Sequence, residues 1–261
     1  MTLRTQVRLE LDKRARRGAV VARITLDNPK KLNILTPEAL AAIAAHLRSA
    51  EQDEDLRAVV LTGAGNKAFC GGVDIETLAG LNPASAREFI TLIHEACAAI
   101  RACPVPVIAR INGWCIGGAL EIAAACDLRI AADTASFSMP EVRLGIPSVV
   151  EAALLPRLVG AGRARWLVMT GEAISAEQAL AWGLIERIAT PKNLDKETGR
   201  TLDLIIEGGA EAIRAQKRLC QLWEEAPLAE SVRVSIDELA RSYETDEPRK
   251  RIDAFRHRTK R

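Results

Sequence analysis

No stretch of this 261-residue chain is apolar for long enough to cross a bilayer. Each candidate run is broken by Arg, Asp or Glu, including Ile116 to Ala125 at Glu121, where a span needs about 20 apolar residues. The first ten residues scatter charges and lack an apolar stretch followed by a small-residue cleavage site, so no signal peptide and a cytoplasmic protein are expected. Charge of one sign is also missing: 36 Lys and Arg stand against 34 Asp and Glu, a formal net charge of +2. That balance gives no broad affinity for nucleic acid or anionic membranes. The six cysteines form neither a Cys-x-x-Cys pair nor a zinc spacing, so they read as reduced thiols packed as small hydrophobes, with no metal expected. The three histidines, His46, His94 and His257, fall on separate predicted helices, which argues against a His-based triad. Internal repeats and low-complexity tracts are absent.

What is present is a core-forming composition, 48% hydrophobic, in a chain long enough to bury roughly three quarters of its unfolded surface. The first half alternates strand and helix. Val7 to Leu11 and Ala19 to Leu26 predict a hairpin turning through Arg14 to Gly18. Thr36 with Pro37 and Glu38 opens a helix running to about Ala50, and Arg57 to Thr62 reads as a buried strand. A Gly-rich loop, Gly63 to Asp74, leads to a helix near Ser85 to Ala102. The strand after Pro104 ends at Asn112-Gly113, and Gly117-Gly118 opens another helix. Two short strands follow, Asp127 to Ala131 and Ala135 to Ser138. Beyond Val149 the pattern is helical, near 149 to 159, 162 to 170, 175 to 181, 209 to 222, 227 to 242 and 248 to 257. Thr190 to Arg200 is the candidate linker, or equally a loop and helix cap. An α/β front and a helical tail are the plan.

Three segments carry chemistry. In Asn112-Gly-Trp-Cys-Ile-Gly117-Gly118-Ala-Leu-Glu121, glycines admit a ligand close to the backbone, and the first N–H groups of the next helix have no internal acceptors. Glu121, one turn in, points back over the same place because helix side chains tilt toward the N-terminus. In Ala68-Phe-Cys-Gly71-Gly72-Val-Asp74, a second glycine turn after a buried strand can offer another N–H, and Asp74 can cap the next helix. In Phe137-Ser-Met-Pro140-Glu141, a proline fixes the backbone ahead of a second carboxylate.

Together these segments resemble the crotonase superfamily, the enoyl-CoA hydratases and isomerases. The resemblance extends over nearly the whole chain, through Asn28-Pro-Lys-Lys-Leu-Asn33, Pro140-Glu141-Val-Arg-Leu-Gly145, Leu155-Pro-Arg-Leu-Val-Gly160, Thr170-Gly171 and Ala181-Trp-Gly-Leu-Ile185. It implies a spiral of β-β-α turns over residues 1–190 and a C-terminal helical region, 191–261, used in assembly as homotrimers or homohexamers. It implies an oxyanion hole from the Gly71 and Gly118 N–H groups, and Glu121 and Glu141 as the acid-base pair. Coenzyme A, part of the substrate rather than a cofactor, is expected near Lys31, Gly72, Asp74 and Ile75, with Phe255 and Arg258 approaching the 3′-phosphate of the CoA bound to a neighbouring copy of the chain. The implied reaction is hydration of a 2-enoyl-CoA: Glu121 activates water and Glu141 protonates the α-carbon. Beside it stand other reactions of the superfamily (isomerisation, C–C cleavage or decarboxylation, thioester hydrolysis) and a non-catalytic CoA- or RNA-binding member.

The chain departs from the family where many hydratases carry a Gly-rich stretch. Here the text is Pro147-Ser-Val-Val-Glu151-Ala-Ala-Leu-Leu-Pro156, with an unexpected carboxylate at Glu151. Glu151 reads either as a charge at a helix start or as a substrate-selecting or catalytic group. Trp114 reads either as a wall of the acyl pocket or as core.

Overall fold

The computed structural model describes residues 4–14 and 18–258. Strands β1 (Gln6–Lys13) and β2 (Val20–Asp27) pair antiparallel, with Lys13 opposite Val20. This is the expected hairpin, although Ala15 to Arg17 of its turn lie outside the described residues. The Thr36 hydroxyl accepts the Ala39 N–H and starts α1 (Pro37–Ala50). Next come β3 (Leu56–Gly63), β4 (Ala68–Cys70) and the short α2 (Ile75–Ala79). A capping box between Asn82 and Ser85 begins α3 (Pro83–Ala102) two residues earlier than expected. The chain continues through β5 (Val107–Ile111), β6 (Trp114–Ile116), α4 (Gly118–Ala125), β7 (Leu128–Ala132) and β8 (Ser136–Ser138).

Three successive turns each give one strand to each of two sheets. β3, β5 and β7 join a six-stranded sheet in the order β1-β2-β3-β5-β7-β10, where β10 is Arg187–Ala189. β4, β6 and β8 join a four-stranded sheet closed by β9 (Ile174–Ser175). Apart from β1 with β2 and β8 with β9, all pairings are parallel. The expected β-β-α spiral is therefore present. Its consequence for function is directional: β4, β6 and β8 run the same way, so their C-terminal ends lie side by side. The three chemistry-bearing segments leave from those ends.

The main core fills the space between the sheets and α1, α3 and α4. A second, smaller core lies on the other face of the large sheet, covered by α8 (Leu194–Glu207). α8 makes Thr190 to Arg200 a loop and helix start, the second of its two readings, and not a linker. Leu194, Thr198, Leu202 and Ile206 recur every four residues and bury one stripe against the sheet. Between the sheets and this helix come α5 (Leu155–Val159), α6 (Ala161–Thr170) and α7 (Ala176–Trp182); a 3-10 turn over Val150–Leu154 replaces the first part of the helix expected from 149. The tail ends in α9 (Ala210–Glu225), α10 (Leu228–Ser242) and α11 (Glu247–Arg258). Lys217 ties α9 to the core: its buried ammonium donates to the Ile100 and Val105 carbonyls, each at 3.1 Å, and to Asp127 at 2.8 Å. Five cysteines are buried as expected, and Cys220 on α9 is exposed. No helix among the described residues is long and apolar enough to cross a membrane.

Candidate active site

Every residue of α4 is buried, so the helix is fixed in direction by what meets its two ends. At its C-terminal end the Arg129 guanidinium donates to the Ala123 and Cys126 carbonyls and pairs with Glu186 at 2.6 Å, a cation where the helix dipole favours one. At its N-terminal end Gly117 has φ +57° and ψ −126°, a backbone conformation that suits glycine. Its N–H donates to the Ser138 carbonyl at 2.9 Å, which ties the start of α4 to the end of β8. A Cβ on Gly117 would stand 2.3 Å from Glu141 Oε1, so the Glu141 carboxylate packs directly over this glycine.

Glu121, only 4% exposed, lies in the first turn of α4 as expected. Its Oε1 accepts the Ala152 N–H at 3.2 Å. Burial pushes its carboxyl up to about 8; the neighbouring Glu141 and Glu151 add to the rise, and the Ala152 N–H opposes it. Glu141 sits in a 3-10 turn, Glu141–Leu144, and its Oε2 accepts the Ser148 hydroxyl at 2.8 Å. The fold thus brings together two carboxylates that are 20 residues apart in sequence, Glu121 deeply buried and Glu141 near the surface.

The donors facing them differ from expectation at one position. Gly118 opens α4, and its N–H, in the first turn, has no acceptor within the helix. The Gly71 N–H, in contrast, donates to the Leu32 carbonyl at 2.7 Å and is already spent. Two residues on, Val73 bridges Leu35 in parallel through Leu35 N–H to Gly72 O and Asp74 N–H to Leu35 O. That pairing turns the Val73 N–H away from Leu35, and no backbone acceptor engages it among the described residues. A Cβ on Gly118 would touch the Val73 side chain at 3.6 Å. Val73, not Gly71, is the neighbour of Gly118. Gly72 makes this possible: at φ +92° it passes so near β6 that a Cβ would stand 2.8 Å from the Ile116 carbonyl.

Two buried asparagine side chains hold this edge in place. Asn33 Nδ2 donates to the Ala64 and Ala68 carbonyls, and Asn112 Nδ2 to those of Gly65 and Ala68. Lys31 ends a 3-10 turn, Pro29–Lys31, just before Leu32 and is exposed. The Leu32 and Leu35 hydrogen bonds therefore put Lys31 at the same edge as Gly72, Asp74 and Ile75, the last 57% exposed. Asp74 precedes α2 as expected, but its carboxylate accepts the Thr77 hydroxyl at 3.3 Å and caps no backbone N–H. Phe255 is 69% exposed on α11, which is tied to the tail through Arg251 to the Glu207 carbonyl and Glu247 to the Glu211 N–H. The side chain of Arg258 lies outside the described residues. Trp114 is not core: it is 48% exposed at the start of β6, the end away from Gly118.

Glu151 is 8% exposed and lies in the turn whose Ala152 N–H holds Glu121. Its Oε1 meets His94 Nδ1 at 2.7 Å, while its Oε2 is buried with no hydrogen-bond partner among the described residues. Nothing in the local sequence of His94 announces a partner 57 residues away. The thiol of Cys97, one turn along α3, is pushed well above its ordinary range by burial and then by Glu151 and Glu121.

The family model Enoyl-CoA hydratase/isomerase matches residues 16–261. A crotonyl-CoA hydratase from Syntrophomonas wolfei is 32% identical over 92% of this chain and 93% of its own length. A short-chain-enoyl-CoA hydratase from Clostridium acetobutylicum is 32% identical over 90% of each chain. Among solved structures, an enoyl-CoA hydratase from Bacillus anthracis superimposes with a TM-score of 0.90 at 31% identity, covering 96% of both chains.

Proposed function

Because the chain belongs to the enoyl-CoA hydratase/isomerase family, an acyl-CoA substrate is implied, and we propose that the reaction is addition of water across the double bond of a 2-enoyl-CoA. The observation that carries this reading is the meeting of two carboxyls, Glu121 and Glu141, at a helix start that offers unengaged N–H donors. Isomerisation needs one group to move a proton between carbons; hydration uses two, one for water and one for carbon. The hydratase activity named for the Syntrophomonas and Clostridium relatives supports the same choice.

In this mechanism the thioester oxygen accepts from the N–H groups of Gly118 and Val73. Donors aimed where the enolate charge gathers contribute roughly 3 kcal/mol each in a dry site. The Glu121 carboxyl, pushed up to about 8 by burial, can hold a proton at neutral pH. The reaction needs Glu121 ionised and Glu141 protonated when acyl-CoA is bound. Glu121 then takes a proton from water as its oxygen attacks the β-carbon, and Glu141 gives its proton to the α-carbon. The product is a 3-hydroxyacyl-CoA, and the pair is left with one proton, now on Glu121.

Lys31 is the cation of this edge for the CoA phosphates, beside the Gly72 to Ile75 backbone. A homotrimer or pair of trimers is the assembly we favour. α10 supports association through an exposed apolar stripe, Leu228, Val232, Ile236, Leu239 and Tyr243, which solvent alone does not explain. The test of function is to mix the purified protein with crotonyl-CoA, follow the conjugated-thioester absorbance and identify the product. Loss of absorbance with formation of 3-hydroxybutyryl-CoA supports hydration. A shifted double bond or free CoA points instead to isomerisation or thioester hydrolysis.

A further inference from the structure

Glu151 is a buried carboxylate that the hydration mechanism does not use. One oxygen is held by His94, whose side chain is 58% exposed at a cleft of about 640 Å³ between α3, the Val150–Leu154 turn and α9. The other oxygen is buried and unpaired. Buried polar atoms are nearly always hydrogen-bonded, so an unpaired carboxylate oxygen needs a reason. The Cys97 thiol beside Glu151 interacts with its carboxylate but is only a weak donor, which leaves the demand of the buried oxygen largely unmet. Val150, the preceding residue, is held at φ +39°, where a β-branched side chain is strained. Such strain tends to persist at functional sites.

Position connects this oxygen to the substrate. Glu151 and Ala152 are adjacent, and Ala152 holds Glu121, the group assigned to the water that attacks the β-carbon. Glu151 is also close enough to Glu121 to help raise its carboxyl, so the two carboxylates stand at one place. We propose that Glu151 selects the acyl group, and that the preferred substrates are 2-enoyl-CoAs carrying a hydrogen-bond donor, a hydroxyl or an amide N–H, beyond the β-carbon. A second carboxylate on the acyl chain is disfavoured, because it would join Glu121, Glu141 and Glu151. The basic side chains bordering the cleft are already engaged: His94 with Glu151, and Arg101 with Glu224 and Glu225.

This inference rests on the hydration reading, and its test separates the two. kcat/KM is measured for crotonyl-CoA and 2-pentenoyl-CoA against 4-hydroxycrotonyl-CoA and 5-hydroxy-2-pentenoyl-CoA, with glutaconyl-CoA as the acidic substrate. A hydrogen bond to a charged group predicts a preference of about tenfold to a hundredfold for at least one hydroxylated member of a pair. The preference should collapse in Glu151→Ala, and glutaconyl-CoA should be the poorest substrate. Should Glu151→Ala lose turnover altogether, calorimetric binding of 4-hydroxybutyryl-CoA against butyryl-CoA to both proteins gives the same comparison without catalysis. Equal handling of plain and hydroxylated chains, or a preference that survives Glu151→Ala, overturns the assignment of Glu151 and leaves hydration standing. If none of the five substrates is hydrated while CoA thioesters still bind, the hydration reading itself fails; the calorimetric comparison then still decides the role of Glu151.

Discussion

The backbone N–H of Ala152 meets Oε1 of Glu121 at 3.2 Å and holds this carboxyl from outside its own helix. It opposes a larger effect, the burial that pushes Glu121 up to about 8. The folded-state value therefore lies above the ordinary carboxylate value of 4.5. Stability from this group is fully present below that ordinary value and is lost as pH rises toward about 8, where the buried carboxyl ionises. The cost above that point is up to a few kcal/mol. Thermal unfolding from pH 5 to 9 should show wild type losing stability relative to Glu121→Gln. Parallel curves for the two proteins would contradict the raised value. The same ionisation removes the proton the pair shares, so kcat/KM should fall above a pH of about 8.

Gly117→Ala tests the placement of Glu141. The new methyl group would stand 2.3 Å from Glu141 Oε1, at a residue with positive φ. The backbone strain should cost about 1 to 3 kcal/mol. Displacing the carboxylate by about 1 Å should cost on the order of a hundredfold in kcat. Unfolding curves and kinetics on one preparation measure both; normal activity would show that Glu141 does not act from this position.

Lys217 makes the tail part of the folded unit. Lys217→Ala would leave Asp127 and two carbonyls without their buried cation. A loss of about 3 to 5 kcal/mol is expected from denaturant titration. A change below about 1 kcal/mol would mean that α9 contributes little to holding the core.

The apolar stripe of α10 tests assembly. Ile236, 64% exposed in the single chain, should be covered in an oligomer. Light scattering should give three or six chains for wild type and a smaller species for Ile236→Glu. A wild-type monomer would remove the proposed trimer.

The two glutamates were legible because each follows a local signal, a Gly-Gly before a helix for Glu121 and a proline after a short strand for Glu141. Val73 was not. Which N–H remains unspent depends on the bridge to Leu35, and Gly71, the more conspicuous residue, gives its N–H to Leu32. The His94 partnership was hidden for a similar reason, since its partner lies on a distant turn. α8 was obscured by Pro191 and Gly199, although its stripe of buried residues at four-residue spacing is visible once the sheet it covers is known. β4, β6, β9 and β10 have two or three residues each, too few to show a period, yet two of them aim the site.

The central claim is that Glu121 and Glu141 act together on water and the α-carbon. The direct measurement is loss of the crotonyl-CoA absorbance by wild type, Glu121→Gln and Glu141→Gln, with binding of a saturated acyl-CoA measured on all three. The account predicts rapid loss by wild type, a fall of about a hundredfold or more in each variant, and retained binding. Full hydration by either variant would contradict it.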